Sequence, residues 1–237
     1  MGNSLPVLIL AGGFGTRLNK ISKGIPKALM PIGNGFYLDL LLEKLVNYNI
    51  NHIYLSLYYR SELFQNYVQH SIYANKLTTI IEPEPLGTGG AVNYVIENSS
   101  ISSPFYVING DSMSDINFDK MYIEFEKSQY KAMVGISEVK DAERYGTVIM
   151  ENGNVVSFNE KGINVRNWIN NGHYILVKEV FDGFTGAFSL EKDVFQQLIK
   201  NRELGAFKVE NDHFIDMGIP KDYKKLCNTF EVINDGI

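Results

Sequence analysis

Gly12, Gly13 and Gly15 follow an apolar run, Leu5 to Ala11, and two cations come after them: Arg17 at once, Lys27 ten residues later. A glycine has no Cβ, so its backbone N–H can approach an anion closely. Arg17 adds a planar fork that suits two phosphate oxygens at once. Lys27 adds a second fixed charge. A polyphosphate suits this arrangement. Two better-known phosphate loops are excluded. No G-x-x-x-x-G-K-[ST] string occurs, and Gly13-Phe14-Gly15-Thr16-Arg17-Leu18 puts Leu18 where a dinucleotide fingerprint has its third glycine. The alternative for this string alone is an ordinary turn after a first strand with solvated loop charges.

Further along, Asp111 closes Asn109-Gly110-Asp111 after the apolar run that starts at Phe105. A carboxylate at a strand's carboxyl end is well placed for Mg²⁺, which prefers hard oxygen ligands and keeps several waters. His52, His70 and His213 show no ligand spacing, and Cys227 is the only cysteine, so neither a disulfide framework nor a cysteine metal site exists within one chain. Tyr223, Leu226, Cys227 and Phe230 share a helical spacing that reads as a core face.

The elements that must position these residues alternate in the first half. Leu5–Ala11, His52–Leu57, Thr78–Glu82 and Phe105–Asn109 read as strands. Leu38, Leu41, Leu42, Leu45 and Val46 have the spacing of an amphipathic helix, Ser61–His70 reads as a helix capped by Ser61, and Gly87–Ile96 as one with a glycine-rich start. That order implies a parallel sheet with helices on both faces. In the second half Lys131–Val139, Gly146–Met150, Val155–Phe158 and Trp168–Val177 read as antiparallel additions, which would form a lobe over the carboxyl ends of the parallel strands. Pro220 opens a last helix, Pro220–Ile233. No repeat, linker or hexapeptide repeat stands out. The fold class expected is therefore α/β: a Rossmann-like mixed, mainly parallel sheet flanked by helices, with a small antiparallel lobe. One domain is expected over 1–237, with a first half to about 115 that carries the glycine loop and a second half after it.

The 237 residues suffice for a buried core, and 45% hydrophobic with 21% charged residues is an ordinary globular composition. A net charge of −5 argues against general nucleic-acid binding, which needs a basic footprint. The run Leu5 to Ala11 is too short for a membrane span and has no charged segment ahead of it for secretion, so a cytoplasmic location is expected, with no membrane partner.

These residues stand in strings that resemble the sugar-nucleotide pyrophosphorylase family of nucleotidyltransferases. The strings are L-A-G-G-F-G-T-R-L at Leu10 to Leu18, P-K-A-L-M-P-I at Pro26 to Ile32, E-P-L-G-T-G-G-A at Glu84 to Ala91, N-G-D at Asn109 to Asp111, R-Y-G at Arg144 to Gly146, E-K-G at Glu160 to Gly162, and F-I-D-M-G-I-P-K-D-Y at Phe214 to Tyr223. They occur in the family's order along the whole chain. The resemblance implies an enzyme that joins a nucleoside triphosphate to a sugar 1-phosphate and releases pyrophosphate, with Mg²⁺ as cofactor. The sugar phosphate oxygen attacks the α-phosphorus in line, so the work is positioning and charge stabilisation.

Carried onto this chain, the resemblance gives Gly12, Gly13, Gly15 and Thr16 the triphosphate, and Leu10 and Ala11 the base and ribose through their backbone. Arg17 neutralises the leaving phosphates, Lys27 reaches the α-phosphate and the attacking phosphate, and Lys161 binds the sugar phosphate. Glu160, Gly146, Asn170 and Gly172 hold the sugar, with Glu160 accepting from its hydroxyls. Asp216 is the second metal carboxylate beside Asp111, and the two meet only through the fold. Other readings stay open: a turn aspartate for Asp216 and a surface ion pair for Glu160-Lys161. The segment from Glu82 through Gly87 and Thr88 lines the base pocket. Pyrimidine-transferring relatives often carry glutamine at the position of Glu82. A glutamate offers only acceptors, which match the N1–H and N2–H₂ donors of guanine, so Glu82 points to GTP, with Glu84 as the alternative reader.

The whole pattern, including Ile169 to Gly172 and Phe188 to Asp193, resembles the heptose 1-phosphate guanylyltransferase branch, which makes GDP-D-glycero-α-D-manno-heptose for bacterial surface polysaccharides. Two departures stand out: Asn171 where a small residue is usual and His173 where an aliphatic one is usual. His173 either contacts a sugar hydroxyl or is a satisfied structural residue. The short members of the family imply a homodimer. The alternatives are UTP, CTP or dTTP with a hexose 1-phosphate, and a nucleotide-sugar-binding regulatory subunit without catalysis. An NAD-linked dehydrogenase would need an acid ending the second strand, where Leu57-Tyr58-Tyr59 stands instead.

Overall fold

A computed structural model describes residues 4–15, 18–139, 142, 145, 147–159, 168–210, 212–218 and 220–234. In chain order the strands are β1 (Leu5–Leu10), β2 (Pro31–Ile32), β3 (Gly35–Phe36), β4 (Ile50–Leu57), β5 (Leu77–Ile81), β6 (Phe105–Asn109), β7 (Ser112–Met113), β8 (Ala132–Glu138), β9 (Thr147–Glu151), β10 (Asn154–Asn159), β11 (Trp168–Leu176), β12 (Leu204–Val209) and β13 (Ile215–Asp216). The helices are α1 (Asn19–Ser22), α2 (Tyr37–Val46), α3 (Ser61–His70), α4 (Gly87–Glu97), α5 (Phe118–Lys127), α6 (Phe195–Lys200) and α7 (Pro220–Asn234).

The apolar run at the N-terminus becomes the middle of the parallel region because it can be buried on both sides. Its side chains alternate across the sheet. Val7 and Ile9 enter one core cluster, with Leu38, Leu42, Phe64, Met121 and Leu226 from the helices on that face. Leu8 enters the other, with Val92, Val95, Phe195 and Leu198. The expected layering, helices on both faces of the sheet, is the one observed.

Among the described residues nine strands form a single sheet in the order β5-β4-β1-β6-β11-β8-β12-β10-β9. Strands β5, β4, β1 and β6 run parallel. The antiparallel addition expected from the second half continues this same sheet: β11 pairs antiparallel with both β6 and β8. β9 and β10 form an antiparallel hairpin whose β9 also meets β11, at Thr147 opposite Ile169. β12 runs parallel to β8 and was not expected from the sequence.

Two short pairs lie outside the main sheet, β2 with β3 and β7 with β13. The second pair matters for function, because it sets Asp216 opposite Ser112, next to Asp111. Ser61 does not cap α3. It is the first helical residue, and Arg60 before it takes a left-handed conformation with φ 55°. Its carbonyl accepts from Leu63 N–H at 3.0 Å. Helix α5, absent from the sequence reading, starts at a capping residue: Asn117 accepts through its side chain from Lys120 N–H. Among the described residues no helix is long and apolar enough to cross a membrane.

Candidate active site

The carboxyl ends of β1, β4, β5 and β6 open into a cleft of about 380 Å³, within the size range of small-molecule sites. Leu10, Ala11, Gly12, Gly13 and Gly15 line it, as do Lys27, Glu82, Gly87, Thr88 and Asp111. Residues far apart in sequence therefore share one cavity. Thr16, Arg17, Gly146, Glu160 and Lys161 fall outside the described residues.

Gly15 has φ +61°, in the left-handed region that disfavours side chains, and a Cβ there would stand 3.3 Å from the Lys27 stem. The loop thus closes against Lys27, whose Nζ donates to Asp111 Oδ2 at 2.5 Å. Leu10 and Ala11 are held by neighbouring strands: Leu10 O accepts from Gly110 N–H and Ala11 N–H donates to Ser56 O, both at 2.9 Å.

Asp216 lies beside Asp111. Met217 N–H donates to Asp111 O at 2.8 Å, and Gly218 N–H donates to an Asp216 side-chain oxygen at 2.7 Å. The Tyr37 hydroxyl, buried and without a hydrogen-bond partner among the described residues, feels both acids. Burial raises its pKa well above the usual tyrosine value, and the charges of Asp111 and Asp216 push the same way. The two carboxylates therefore act on one place. Hard oxygen donors without histidine or cysteine fit Mg²⁺, and no described cluster of three ligating side chains would bind a metal unaided.

At the far end of the cleft Glu82 is only 7% exposed. Its carboxylate accepts from Ser56 Oγ at 2.8 Å and from Leu86 N–H at 3.4 Å. Burial raises its pKa, and these two hydrogen bonds counter the rise. Glu84 is exposed and does not line the cleft. Gly87 opens α4, but the amides of Gly89 and Gly90 are taken by Phe188 O at 3.0 and 3.2 Å. The Thr88 hydroxyl donates to Glu191 and accepts from Leu190 N–H. Phe14, Tyr58 and Asn109 also line the cleft without having been marked as site residues from the sequence. Phe14 and Asn109 lay within recognised strings, whereas Tyr58 lay in none, and the ring contact between Phe14 and Tyr58, at 5.8 Å, exists only in three dimensions.

Asn170 and Gly172 stand on β11 and do not themselves line this cleft. Asn170 donates to Tyr174 OH and accepts from Gly172 N–H, each at 2.9 Å. Gly172, at φ +78°, packs against the Asn109 side chain, where a Cβ would stand 2.8 Å from Asn109 Nδ2. The two departures on this strand are buried. Asn171 donates to Ser114 Oγ at 3.2 Å and Ser137 Oγ at 2.9 Å. His173 Nδ1 lies 3.0 Å from Asn171 O. Both are satisfied structural residues, and His173, 3% exposed, is turned into the protein.

A glycine loop at the end of a central parallel strand, a lysine–aspartate pair, and a second carboxylate that a separate short strand pair sets beside it mark a nucleotide-handling enzyme. The model of the Nucleotidyl transferase family matches residues 6–231, and the chain belongs to that family. It is a sugar 1-phosphate nucleotidyltransferase. It is 35% identical over 222 residues to the D-glycero-alpha-D-manno-heptose 1-phosphate guanylyltransferase of Campylobacter jejuni, which covers 92% of this chain and 97% of the relative. The protein of that name from Aneurinibacillus thermoaerophilus is 31% identical over 223 residues, covering 93% and 96%. The crystal structure of HddC from Yersinia pseudotuberculosis matches with a TM-score of 0.85 at 36% identity, covering 95% of this chain and 99% of that one. The same protein complexed with GMP-PN matches at 0.82 and 35% identity, with the same coverage.

Proposed function

We propose that the chain transfers a guanylyl group from GTP to D-glycero-α-D-manno-heptose 1-phosphate, giving GDP-heptose and pyrophosphate. The observation that carries the guanine assignment is the Glu82 carboxylate, buried at the end of the cleft beyond the glycine loop. A carboxylate has only acceptors to offer, and guanine presents N1–H and N2–H₂ on one edge. The heptose rests on the two relatives of that activity, each near full length. GMP-PN in the HddC complex supports the nucleotide.

In this reading the amides of 12–16 hold the triphosphate, and Leu10 and Ala11 contact base and ribose. The sugar phosphate oxygen forms a bond to the α-phosphorus as the bond to the bridging β-oxygen breaks, and pyrophosphate leaves with that oxygen. Lys27 lies beside the cleft and carries positive charge to the α-phosphoryl group; Arg17 and Lys161 do so for the leaving and attacking phosphates. Asp111 and Asp216 are the residues that would hold Mg²⁺, which when bound offsets negative charge on the phosphates. Gly146, Glu160, Asn170 and Gly172 are proposed for the sugar, and Thr88 and Gly87 for the nucleotide.

Pyrophosphate release in Mg²⁺, with four triphosphates crossed against a panel of sugar 1-phosphates including the heptose, tests this. Release with GTP and the heptose is expected. Release with another pair instead overturns the specificity and leaves the chemistry. No release from protein that still binds a nucleotide sugar overturns the catalytic reading in favour of a regulatory subunit.

A further inference from the structure

Ser56 is the second-to-last residue of β4 and is fully buried. A serine at such a position needs a partner, and its hydroxyl donates to Glu82 Oε1 at 2.8 Å. Among the described residues the other carboxylate oxygen receives only the long contact from Leu86 N–H, at 3.4 Å. The rest of Ser56 is pinned as well. Its carbonyl accepts from Ala11 N–H at 2.9 Å, and it sits opposite Leu10 in the β1–β4 register. The backbone of Glu82 is tied to the same strand end, through Glu82 N–H to Leu57 O at 2.8 Å. One residue thus couples the strand end that leads into the glycine loop to the carboxylate beside it. Gly12 leaves the approach clear, since a Cβ there would stand 3.1 Å from Glu82 Oε1.

We propose that Ser56 is a specificity-determining positioning residue, whose hydroxyl aims the Glu82 carboxylate so that its unused lone pairs face a guanine edge. This rests on the reading of Glu82 as the base reader and deepens it. The terminal torsion of a glutamate is soft, so a single strong donor decides where its oxygens point. An ionised carboxylate has about four acceptor sites. Ser56 and Leu86 N–H use two, which leaves two for the N1–H and N2–H₂ of guanine. Removing the Ser56 hydroxyl frees the torsion and takes one donor from a carboxylate that burial already disfavours as an anion.

The titratable and charged side chains around Glu82 among the described residues are few. Tyr58 flanks it from the end of β4, exposed Glu84 shares its loop, and Lys27 and Asp111 line the far part of the cleft, paired with each other at 2.5 Å. None of them gives Glu82 a hydrogen bond like that of Ser56. Loss of the Ser56 donor raises the Glu82 pKa further. The guanine preference, which needs the ionised form, should then fail at a higher pH in the variant than in the unaltered protein.

The experiment compares kcat/KM for GTP and UTP in Ser56→Ala, Ser56→Cys, Glu82→Gln and the Ser56→Ala/Glu82→Gln double variant across pH. Ser56→Cys fills nearly the same space with a weaker donor, and so serves if the alanine variant fails to fold. The GTP/UTP ratio is expected to fall about tenfold in Ser56→Ala, the scale of one lost hydrogen bond to a charged group, and by less in Ser56→Cys. The fall deepens toward low pH, and Ser56→Ala adds nothing on top of Glu82→Gln. If Glu82→Gln collapses the ratio while both folded serine variants keep it at every pH, the role of Ser56 is overturned and Glu82 remains the reader. If Glu82→Gln leaves the ratio unmoved, the reading of Glu82 itself fails.

Discussion

Lys27 and Asp111 neutralise each other at 2.5 Å in a cleft that has room for a nucleotide. Phosphate oxygens would compete for Lys27, and releasing Asp111 from the pair leaves its carboxylate for a cation. In the proposed function each residue would therefore change partner during turnover. Asp111→Asn keeps the shape and removes the charge. The fold should survive, with an unchanged circular dichroism spectrum, while pyrophosphate release falls by about two orders of magnitude or more. Near-normal release in Mg²⁺ would remove Asp111 from the chemistry. At this scale the sequence was legible where chemistry demands contiguous strings: glycines before a cation, or an aspartate closing an apolar strand. Ser56 was not legible, because a serine near the end of a strand carries no mark of the glutamate it will meet 26 residues later.

Elements were legible where one periodicity dominates. β1 and α2 announce themselves by a continuous apolar run and by i, i+3, i+4 spacing. β11 was found too, yet its local break was not. Gly172 takes φ +78°, and the pairing with β8 shifts register between Asn170 and Tyr174. The break turns Asn171 into a buried polar group of Ser114, Ser137 and Asp212, in which Ser114 Oγ donates to Asp212 at 2.6 Å and Asp115 N–H donates to it at the same distance. Asp212 stands four residues before Asp216, so this cluster braces the segments that carry both proposed metal carboxylates. β12 was missed because its apolar content is diluted by Gly205 and Lys208, and its parallel register on β8 is a tertiary fact.

His173 lies within this same stretch and gives it a pH dependence. Burial lowers its pKa from 6.5 to about 4, and the nearby Lys44 charge pushes the same way. The unfolded chain then takes up a proton that the folded chain refuses. Stability from a neutral His173 is complete above about pH 6.5 and is lost as pH falls toward 4, by roughly 3 kcal/mol in all. The melting temperature should drop across that window. His173→Leu, which cannot be protonated, should flatten the drop. An equal slope in the variant would place the acid sensitivity elsewhere.

The two halves proposed to handle nucleotide and sugar share one sheet, and we expect them to behave as one folding unit. They are not joined by a linker. β6, the last parallel strand of the first half, pairs along its length with β11 of the second, from Phe105 opposite Leu176 to Ile108 opposite His173. Both core clusters cross the same seam: Ile9 and Ile108 pack in one with Met133 and Phe207, and Leu8 and Val107 in the other with Val134 and Tyr174. Cutting the chain near residue 115 would expose one long edge and two apolar faces, a cost that no surface charge offsets. The single tryptophan, Trp168, sits on β11 and so reports the second half alone, whereas far-ultraviolet circular dichroism reports both. Chains longer than about 150 residues often populate intermediates, so coincidence of the two probes is informative. One denaturant midpoint is expected for both, and GMP-PN, a nucleotide held by the first half in our reading, should raise both equally. Separate midpoints, with the nucleotide moving only the dichroism transition, would mean that the shared sheet does not couple the halves. The cleft and the sugar side would then be free to shift against each other.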